Sequence, residues 1–252
     1  MTDDEPKPTH KQKLAAKKDP RARWFVAILV VGAVLGTAIG GILSAFYAAC
    51  MIPAGSMWPT LTAGTRVFAN RRMKTPERGA VVVFKYPERR EQSFAKRIVG
   101  LPGDVIRSTD DGLTINDWKV PRCVVGKTGY DDPASEGQNH EGNVVVEWLG
   151  DAVYLVFEDE HAPSLGASTR FVVAAGEYFV VGDNRRNSHD SRMWNGGQGR
   201  GVPLADTIGR VGGSEKPELP ANARDRDKLA AALADCLGKK PESTTPPSPS
   251  PK

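Results

Sequence analysis

The sequence predicts a mainly β protein, in which an antiparallel β-sheet domain follows one N-terminal transmembrane helix. Two features of the 252-residue chain lead to this expectation. A long apolar run comes first, and about 20 apolar residues are enough for a helix to cross a bilayer. Short segments rich in β-branched and aromatic residues follow it, separated by Gly, Pro, Asp and Asn, as is typical of hairpin-rich β domains.

The apolar run extends from Trp24 to Ile52, and the next charged residue is Arg66. It is much longer than the apolar region of a cleaved secretory signal, which has about 7–15 residues. The tetrapeptide Tyr47-Ala48-Ala49-Cys50 weakly resembles a lipoprotein cleavage site, so cleavage there is an alternative. Basic residues outnumber acidic ones in residues 1–23. The positive-inside rule therefore predicts a cytoplasmic tail followed by an extracytoplasmic domain at the plasma membrane.

Local patterns divide the chain into five segments. Residues 222–239 carry an amphipathic helical pattern, whereas the Gly-, Asp- and Asn-rich residues 126–142 are predicted to form an exposed loop. The Pro-, Ser- and Thr-rich C-terminus is predicted to be disordered. The five segments are a cytoplasmic basic tail (1–23), a transmembrane helix (24–49), a β domain (50–215), a helical extension (216–240) and a disordered tail (241–252).

The composition argues against several functions. A net charge of +4 is too small to indicate nucleic-acid binding, although it suits contact with an anionic lipid bilayer. The four histidines and three cysteines form no cluster with metal-ligand spacing, so we expect neither a metal nor another cofactor. Cys123 and Cys236 could pair if the domain is exported, which would leave one free thiol.

The first candidate catalytic residue is Ser56, which lies just after the apolar run between Gly55 and Met57-Trp58-Pro59. Glycine and proline close to the serine hold its backbone in a defined path. A nucleophilic serine needs such a fixed hydroxyl, together with a nearby donor for the oxyanion that forms on attack. Taken alone, however, a serine between glycine and proline is also common in ordinary loops.

The second candidate is Lys96, which interrupts the apolar strand pattern of residues 94–99. If its side chain points inward, burial favours the neutral amine and lowers its pKa from an ordinary value of ~10.4. Reaching a pKa of about 7–8 takes roughly 3–5 kcal/mol, which desolvation can supply. The neutral amine could then accept the proton of Ser56. The alternative is a surface lysine at a strand edge.

A third polar cluster, residues 182–192, follows a predicted strand and includes Ser188, Asp190 and Arg192. Such a density of hydrogen-bonding side chains is costly unless the groups bond to one another. His189 and Asp190 also suggest a Ser–His–Asp triad. Adjacent side chains usually point apart, however, which disfavours that alternative.

Taken together, these segments resemble the bacterial type I signal peptidases (leader peptidases), which are serine proteases with a Ser–Lys dyad. The resemblance extends from about Arg21 to Val211. It implies a membrane-bound serine endopeptidase that needs no cofactor and removes signal peptides from exported preproteins at Ala-x-Ala junctions. The matching segments are GSMWPTL (55–61), RGAVVVF (78–84), KRIVGLPGD (96–104), YFVVGDNR (178–185), 187–188, 190–192 and 208–210.

The resemblance also implies a role for each matching residue. Ser56 is expected to attack the scissile carbonyl, with Lys96 as the general base. Ser188 is expected to hydrogen-bond the Lys96 amine, and Asp190 to form an ion pair with Arg192, with Arg97 as a further candidate. The substrate is expected to bind as an extended strand, and the residues implied to line its small-residue pockets are Ile52, Pro53, Ala54 and Ala95.

Three positions depart from the pattern of that family. Ala54 stands where some members carry a serine whose hydroxyl helps to bind the oxyanion, so here the backbone N–H of Ser56 would fill that role. Arg186 stands where an acidic residue is frequent, and residues 193–201 are longer and richer in glycine than usual. None of the three removes a catalytic group.

Two other functions stay open at the level of the sequence. The same Ser–Lys chemistry would suit a dedicated peptidase that processes only a few exported proteins. The other alternative is a catalytically silent membrane scaffold, although a scaffold has no need of a lysine buried beside a serine.

Overall fold

The computed structural model describes residues 20–73, 75–109, 111–134, 139–163, 170–212 and 216–249. Most of the predicted basic tail and the last three residues of the predicted disordered tail therefore lie outside the described residues. The helices in the described part are α1 (Pro20–Phe46) and α2 (Arg226–Gly238). Its strands are β1 (Tyr47–Met51), β2 (Arg66–Asn70), β3 (Val81–Tyr86), β4 (Arg89–Gly100), β5 (Val105–Thr109), β6 (Gly112–Ile115), β7 (Trp118–Lys119), β8 (Arg122–Asp131), β9 (Asn139–Leu149), β10 (Ala152–Asp159), β11 (Phe171–Val172), β12 (Glu177–Val181), β13 (Val202–Pro203) and β14 (Thr207–Val211).

Helix α1 is long and apolar enough to cross a membrane. Its segment Arg23–Phe46 has 24 residues and a mean hydropathy of 2.5. The large apolar side chains of this segment are exposed, which indicates an apolar environment outside the protein, as a bilayer provides. The helix ends at Phe46 rather than at residue 49, because Tyr47–Met51 pair with β2 and form strand β1 instead.

The described residues from Tyr47 onward form a mainly antiparallel β domain, which confirms the predicted fold class. The largest sheet has seven strands in the order β1-β2-β14-β3-β4-β12-β13, so that β3 and β4 lie near its centre. A three-stranded sheet has the order β10-β9-β8, and a four-stranded sheet has the order β11-β5-β6-β7.

Strand β4 carries two adjacent cations into the interior. The strand is exposed at its start and buried over residues 96–100. Its side chains alternate between the two faces of the sheet, which places Lys96 beside Val82 on one face and Arg97 beside Val81 on the other. Val82 and Val81 belong to different hydrophobic clusters. Lys96 and Arg97 are therefore buried in two different environments.

The prediction of an exposed loop at residues 126–142 is wrong. Strands β8 and β9 pair through this segment as far as Asp131 and Asn139. Its glycines mark close packing instead of a loop. A Cβ at Gly142 would lie 2.0 Å from a carbonyl oxygen of β10, and one at Gly129 would lie 2.7 Å from a carbonyl oxygen of β9. Glycine in a strand permits such close approach of a second backbone.

Helix α2 lies inside the segment predicted to be helical. Its buried Leu229 and Leu233 pack into the cluster that contains Trp58. Cys236, on the same face, forms a disulfide bond with Cys123 of β8, 113 residues earlier, and the free cysteine is Cys50. The pairing that the sequence left open is thus present and attaches the C-terminal helix to the three-stranded sheet.

The C-terminal tail differs from the prediction of disorder over its described part, residues 241–249. The Gly150 N–H donates to the Thr244 carbonyl oxygen at 2.7 Å. The side-chain amide of Asn116 donates to the Pro247 carbonyl oxygen, also at 2.7 Å. Composition predicts disorder because such a segment buries little apolar surface. Here the segment is held instead by two donors that the folded domain supplies to its carbonyl groups.

Candidate active site

Ser56 lies in a single 3₁₀ turn, Gly55–Met57, shortly after the first strand of the large sheet. We call it the nucleophile turn, after the candidate nucleophile that it carries. Ala54 before the turn is extended, with φ −147° and ψ 159°. The turn is closed by the Trp58 N–H, which donates to the Gly55 carbonyl oxygen at 3.0 Å. Ile52 is held by two backbone hydrogen bonds of 2.8 and 2.9 Å to the segment that leads into β2. The backbone of the candidate nucleophile is therefore fixed from both sides.

The two residues after Ser56 anchor the turn in separate parts of the core. Met57 is 1% exposed and packs with Ala69 under the large sheet. Trp58 is fully buried in the cluster of the three-stranded sheet, where it stacks on Tyr130 with ring centroids 4.1 Å apart. Because two clusters hold adjacent residues, the Ser56 hydroxyl has little freedom to move with its backbone.

Residues of the loop after β12 hold the same turn from the opposite side. The Asn184 N–H donates to the Ser56 carbonyl oxygen at 3.1 Å, and the Asn184 side-chain amide donates to the Gly55 carbonyl oxygen at 3.3 Å. Gly182 permits this close approach. A Cβ at Gly182 would lie 2.5 Å from the Ser56 carbonyl oxygen and 2.1 Å from Ser188 Oγ.

The Lys96 amine contacts the Ser56 hydroxyl directly, with Nζ donating to Oγ at 2.6 Å. The two residues are 40 positions apart, so the folded sheet brings them together. Ser56 is half-buried, whereas Lys96 is 4% exposed. A serine hydroxyl that touches an amine with so little access to water is chemically able to act as a nucleophile beside its base.

Burial lowers the pKa of Lys96 to about 8. The negative charges of Asp190 and Asp183 oppose this effect, and the positive charge of Arg192 adds to it. The ring centroid of Phe94 lies 5.4 Å from Nζ and presents an apolar surface in place of water. With a pKa near 8, about one tenth of the amine is neutral at pH 7, roughly 200-fold more than for an ordinary lysine.

Asp190 is the centre of the supporting cluster. Arg192 donates to both carboxylate oxygens, with Nε–Oδ1 at 2.8 Å and Nη2–Oδ2 at 2.7 Å, and the Gly182 N–H donates to Oδ2 at 2.8 Å. Burial opposes ionisation of this group, but the charge and hydrogen bonds of Arg192 hold the pKa of Asp190 below its usual value. The expected contact between Asp190 and Arg192 is present in the structure.

Ser188 has a different partner from the one expected. Its hydroxyl donates to Asp190 Oδ2 at 2.7 Å, whereas the expected partner was the Lys96 amine. A buried carboxylate is a strong acceptor, and this one lies only two residues away. Ser188 therefore contacts the carboxylate whose charge acts on Lys96, rather than the amine itself.

Arg97 pairs with Asp183 and not with Asp190. Its Nε and Nη2 donate to the two Asp183 oxygens at 2.8 and 2.6 Å, and its guanidinium carbon lies 3.9 Å from the centre of the Tyr154 ring. The Thr60 hydroxyl donates to the same Asp183 carboxylate at 2.5 Å. Strand alternation explains the difference, because Arg97 faces away from the side of β4 that carries Lys96.

The four predicted substrate-binding residues lie on two sides of the Ser–Lys pair. Pro53 and Ala54 are exposed in the extended segment before Ser56, whereas Ile52 is only 3% exposed. Ala95 is half-buried on β4, next to Lys96 in sequence, and packs against the cluster that contains Met57. Their contact with a substrate stays a prediction.

The disfavoured triad finds no support in the contacts of His189. Its Nε2 lies 2.9 Å from the Tyr86 hydroxyl, and its ring packs edge-on against Tyr86 and Trp194. The carboxylate of Asp190, which a triad would need, is engaged by Arg192 and Ser188. The basic side chain that contacts Ser56 is that of Lys96.

Sequence reasoning assigned no individual role to Asp183, Asn184 or Tyr130. The Asn184 side chain, which holds the nucleophile turn, also donates to the Tyr130 hydroxyl at 2.8 Å. The available signal was the polar run that starts immediately after the apolar strand β12, since such groups need partners. Which partner each group finds depends on the pairing of β12 with β4, and no local sequence pattern specifies that pairing.

A β domain in which a serine hydroxyl rests on a buried lysine amine is the arrangement expected of a peptidase with a Ser–Lys dyad. The sequence profile of the family described as "Signal peptidase, peptidase S26" matches residues 21–213. That range covers the nucleophile turn, β4 and the loop after β12. The chain belongs to this signal peptidase family.

Individual relatives cover a smaller part of the chain. The signal peptidase I of Pseudomonas aeruginosa is 34% identical over 160 residues, which are 57% of this chain and 54% of that protein. The signal peptidase I of Rickettsia bellii is 34% identical over 137 residues, or 51% and 43% of the two proteins. The chain thus spans about half the length of these curated relatives. The crystal structure of a signal peptidase I from Enterococcus faecalis is 26% identical, with 56% of this chain and 99% of that chain covered at a TM-score of 0.33.

Proposed function

We propose that this protein is a membrane-bound serine endopeptidase that removes N-terminal signal peptides from exported preproteins at Ala-x-Ala junctions. The observation that carries the proposal is the 2.6 Å contact between Lys96 Nζ and Ser56 Oγ, at a lysine that is 4% exposed. Family membership supports the reaction class, and the pKa of about 8 supports a lysine that works as a base near neutral pH.

A silent scaffold is the less favoured function. An isolated ammonium group is costly to bury, and a lowered pKa means that folding opposes the ordinary charged state of Lys96. A protein with no use for the amine would be more stable with an apolar side chain at this position. The presence of a buried lysine beside a serine therefore favours a catalytic role for the pair over a scaffold.

The proposed reaction uses the two side chains in sequence. The neutral Lys96 amine accepts the hydroxyl proton of Ser56 while Oγ attacks the scissile carbonyl carbon. The resulting ammonium then gives its proton to the leaving amine, which yields an acyl-enzyme on Ser56 and releases the mature protein. In the second half, Lys96 accepts a proton from the water that attacks the ester, and the resulting ammonium returns a proton to Ser56 Oγ as the ester bond breaks, which releases the signal peptide. The backbone N–H of Ser56 is the proposed oxyanion donor.

We infer the preference for substrates with small residues from the segments on either side of the Ser56–Lys96 pair. Pro53 and Ala54 form an exposed extended segment on one side, and an extended backbone suits a substrate that binds as a strand. Ala95 lies beside Lys96 on the other side. The preprotein and the lipid bilayer are the proposed partners, and the chemistry requires neither a metal nor nucleic acid.

The proposed orientation places the N-terminus in the cytoplasm and the β domain outside the plasma membrane. The excess of basic residues in segment 1–23 supports it through the positive-inside rule. The disulfide bond between Cys123 and Cys236 supports it independently, because such bonds persist in oxidising compartments and are rare in the cytosol.

The function is tested by incubating the detergent-solubilised protein with a preprotein that carries an Ala-x-Ala junction. We expect cleavage at that junction by the wild type, and its loss in both Ser56→Ala and Lys96→Ala. Lys85→Ala, which removes an exposed lysine of β3, is the matched control and should cleave normally. A folded wild-type protein that cleaves no such preprotein would overturn the proposed activity. That result would instead favour a dedicated processing peptidase or a catalytically silent membrane scaffold.

A further inference from the structure

One edge of the three-stranded sheet is only half covered. Strand β10 is the outer strand of this sheet, and the edge in question is its side away from β9. At Phe157 both backbone groups on this side are used. The Phe157 N–H donates to the Asp183 carbonyl oxygen, and the Phe157 carbonyl accepts from the Arg185 N–H, each at 2.8 Å. Residues 183–185 thus run along this edge as a short parallel strand, through a bridge between Phe157 and Asn184.

The other half of the same edge is open. Strand β10 pairs with β9 without a register shift, so Leu155 and Val153 direct their backbone groups to the same side as Phe157. Within the part of the chain that the structure describes, no hydrogen bond reaches these outward groups. Leu155 is only 2% exposed. Buried backbone groups nearly always have a partner, so a ligand or water is needed at this edge.

A cleft of about 820 Å³ lies along the open half of the edge. Val153 and Leu155 line one side of it, and the ends of β3 and β14 line the other, at Val81 and Val211. Tyr154 also lines the cleft. Its hydroxyl is buried and has no hydrogen-bond partner in the described residues. We call this cleft the β10 groove.

The chemistry of the groove matches an extended polypeptide. An edge strand offers donors and acceptors in pairs about 7 Å apart, a spacing that another extended backbone reproduces. The same edge already binds one extended segment, residues 183–185. The described part of the protein's own tail lines the groove at Thr245, but no hydrogen bond joins it to the outward backbone groups of Val153 or Leu155.

We propose that the β10 groove is a second binding site for the preprotein, which adds an extended segment of its mature part to β10. This inference rests on the proposed function. The groove borders the chain just after the nucleophile turn, at Pro59–Leu61, and it contains Arg97. Arg97 faces away from the side of β4 that carries Lys96. In this proposal the bound segment belongs to the mature part beyond the residues next to the cut, so a substrate that ends two residues after the cut does not extend into the groove.

The test compares two substrates with the same Ala-x-Ala junction: a full preprotein, and a peptide that ends two residues after the cut. Val153→Pro removes the outward N–H and leaves the ladder to β9, which uses the alternate residues. The measured quantity is the KM ratio, which is the KM for the preprotein divided by the KM for the short peptide. We expect this ratio to be about tenfold higher in Val153→Pro than in the wild type, which corresponds to the loss of one or two hydrogen bonds. The matched control Val153→Thr keeps the N–H and should keep the wild-type ratio.

The second variant, in case Val153→Pro does not fold, carries a backbone ester at position 153, with the α-hydroxy analogue of valine in place of Val153. It removes only the outward N–H and should raise the same KM ratio about threefold. Equal changes for both substrates, or no change in either variant, would overturn the inference while the proposed function stands. A changed oligomeric state in sedimentation, with an unchanged ratio, would instead make the groove a contact between copies of this chain. If the wild type cleaves neither substrate, both the proposed function and the second binding site are contradicted.

Discussion

Lys96 and Arg97 are neighbours on strand β4, and their positive groups have different partners on opposite faces of the sheet. Lys96 Nζ contacts the Ser56 hydroxyl at 2.6 Å, and Arg97 forms a two-point ion pair with Asp183. The arginine has a full counter-charge and stays ionised. Among the described residues, the lysine has no counter-charge in direct hydrogen-bond contact, and burial lowers its pKa to about 8. One strand thus carries a structural cation and a candidate base side by side.

The first prediction concerns the stability cost of Lys96. In the unfolded chain the lysine keeps its proton up to its ordinary pKa, whereas in the native state it loses that proton near pH 8. Between these values the unfolded state binds more protons, so the free energy of unfolding rises with pH. Below pH 8 the lysine costs about 3 kcal/mol.

Lys96→Met should therefore be more stable than the wild type at pH 7, by up to about 3 kcal/mol. The advantage should shrink as the pH rises from 8 to above 10. Urea unfolding of the detergent-solubilised proteins across this range measures the difference. Lys85→Met, at an exposed lysine of β3, serves as the control and should show no such pH trend. A Lys96→Met protein that is less stable than the wild type at pH 7 would contradict a desolvated amine.

The second prediction concerns the buried pair of Arg97 and Asp183. Asp183→Asn should cost roughly 3–5 kcal/mol, because it leaves the Arg97 guanidinium buried without its counter-charge. It should also move the pKa of Lys96 further down, since the Asp183 charge holds that pKa up. The acid limb of the pH–rate profile would then shift to lower pH.

Its control is the pair of Lys239 and Asp235, whose side chains are both 63% exposed. Asp235→Asn should change the free energy of unfolding by less than about 1 kcal/mol, because exposed ion pairs contribute little. Equal effects of the two substitutions in urea unfolding would show that burial does not explain the contribution of Asp183 to the free energy of unfolding.

The third prediction separates the two possible partners of Ser188. In the structure its hydroxyl bonds to Asp190 and not to the amine, which makes Ser188 a positioning residue. Ser188→Ala should lower kcat about tenfold, the worth of one hydrogen bond to a charged group, and leave the acid limb of the profile near pH 8. Ser188→Thr retains a hydroxyl and should recover part of the rate. A limb displaced by a full pH unit in Ser188→Ala would instead indicate direct contact with Lys96.

The fourth prediction concerns the disulfide bond that joins α2 to β8. Replacement of Cys123 and Cys236 by serine should lower the free energy of unfolding by about 2–5 kcal/mol, because the bond closes a long loop in the unfolded chain. Cys50→Ser changes the free cysteine and should have little effect. Thermal unfolding with and without a reductant measures both. Insensitivity of the wild type to the reductant would mean that the helix is held by packing alone.

Much of the fold can be predicted from local sequence patterns, and the places where that prediction fails can be traced to particular residues. The apolar run predicted α1, but its end at Phe46 depends on the pairing of Tyr47–Met51 with β2, which is a long-range contact. The glycines at 126–142 predicted a loop, because a sequence does not reveal that Gly142 packs against the backbone of another strand. The described tail contacts the domain through isolated hydrogen bonds that no pattern predicts.

In the candidate site, too, some features could be predicted from local sequence, whereas others depend on long-range contacts. Ser56 and Lys96 were predicted together from the motifs around them, and the structure places them in contact. The partners of Arg97 and Ser188 could not be predicted, since they depend on which face of β4 each side chain occupies and on the path of the loop after β12. Asn184 was overlooked for the same reason, because its function depends on where its backbone meets the nucleophile turn.

The central claim is that the buried amine of Lys96 activates Ser56, and the pH dependence of kcat/KM for preprotein cleavage tests it most directly. Because the pKa of Lys96 is lowered to about 8, kcat/KM should rise tenfold per pH unit below pH 8 and level off above it. Lys96→Ala should lose the activity at every pH. A limb near pH 10 would mean that the lysine is not desolvated. A limb near 6.5 that persists in Lys96→Ala would make a histidine the base and contradict the account.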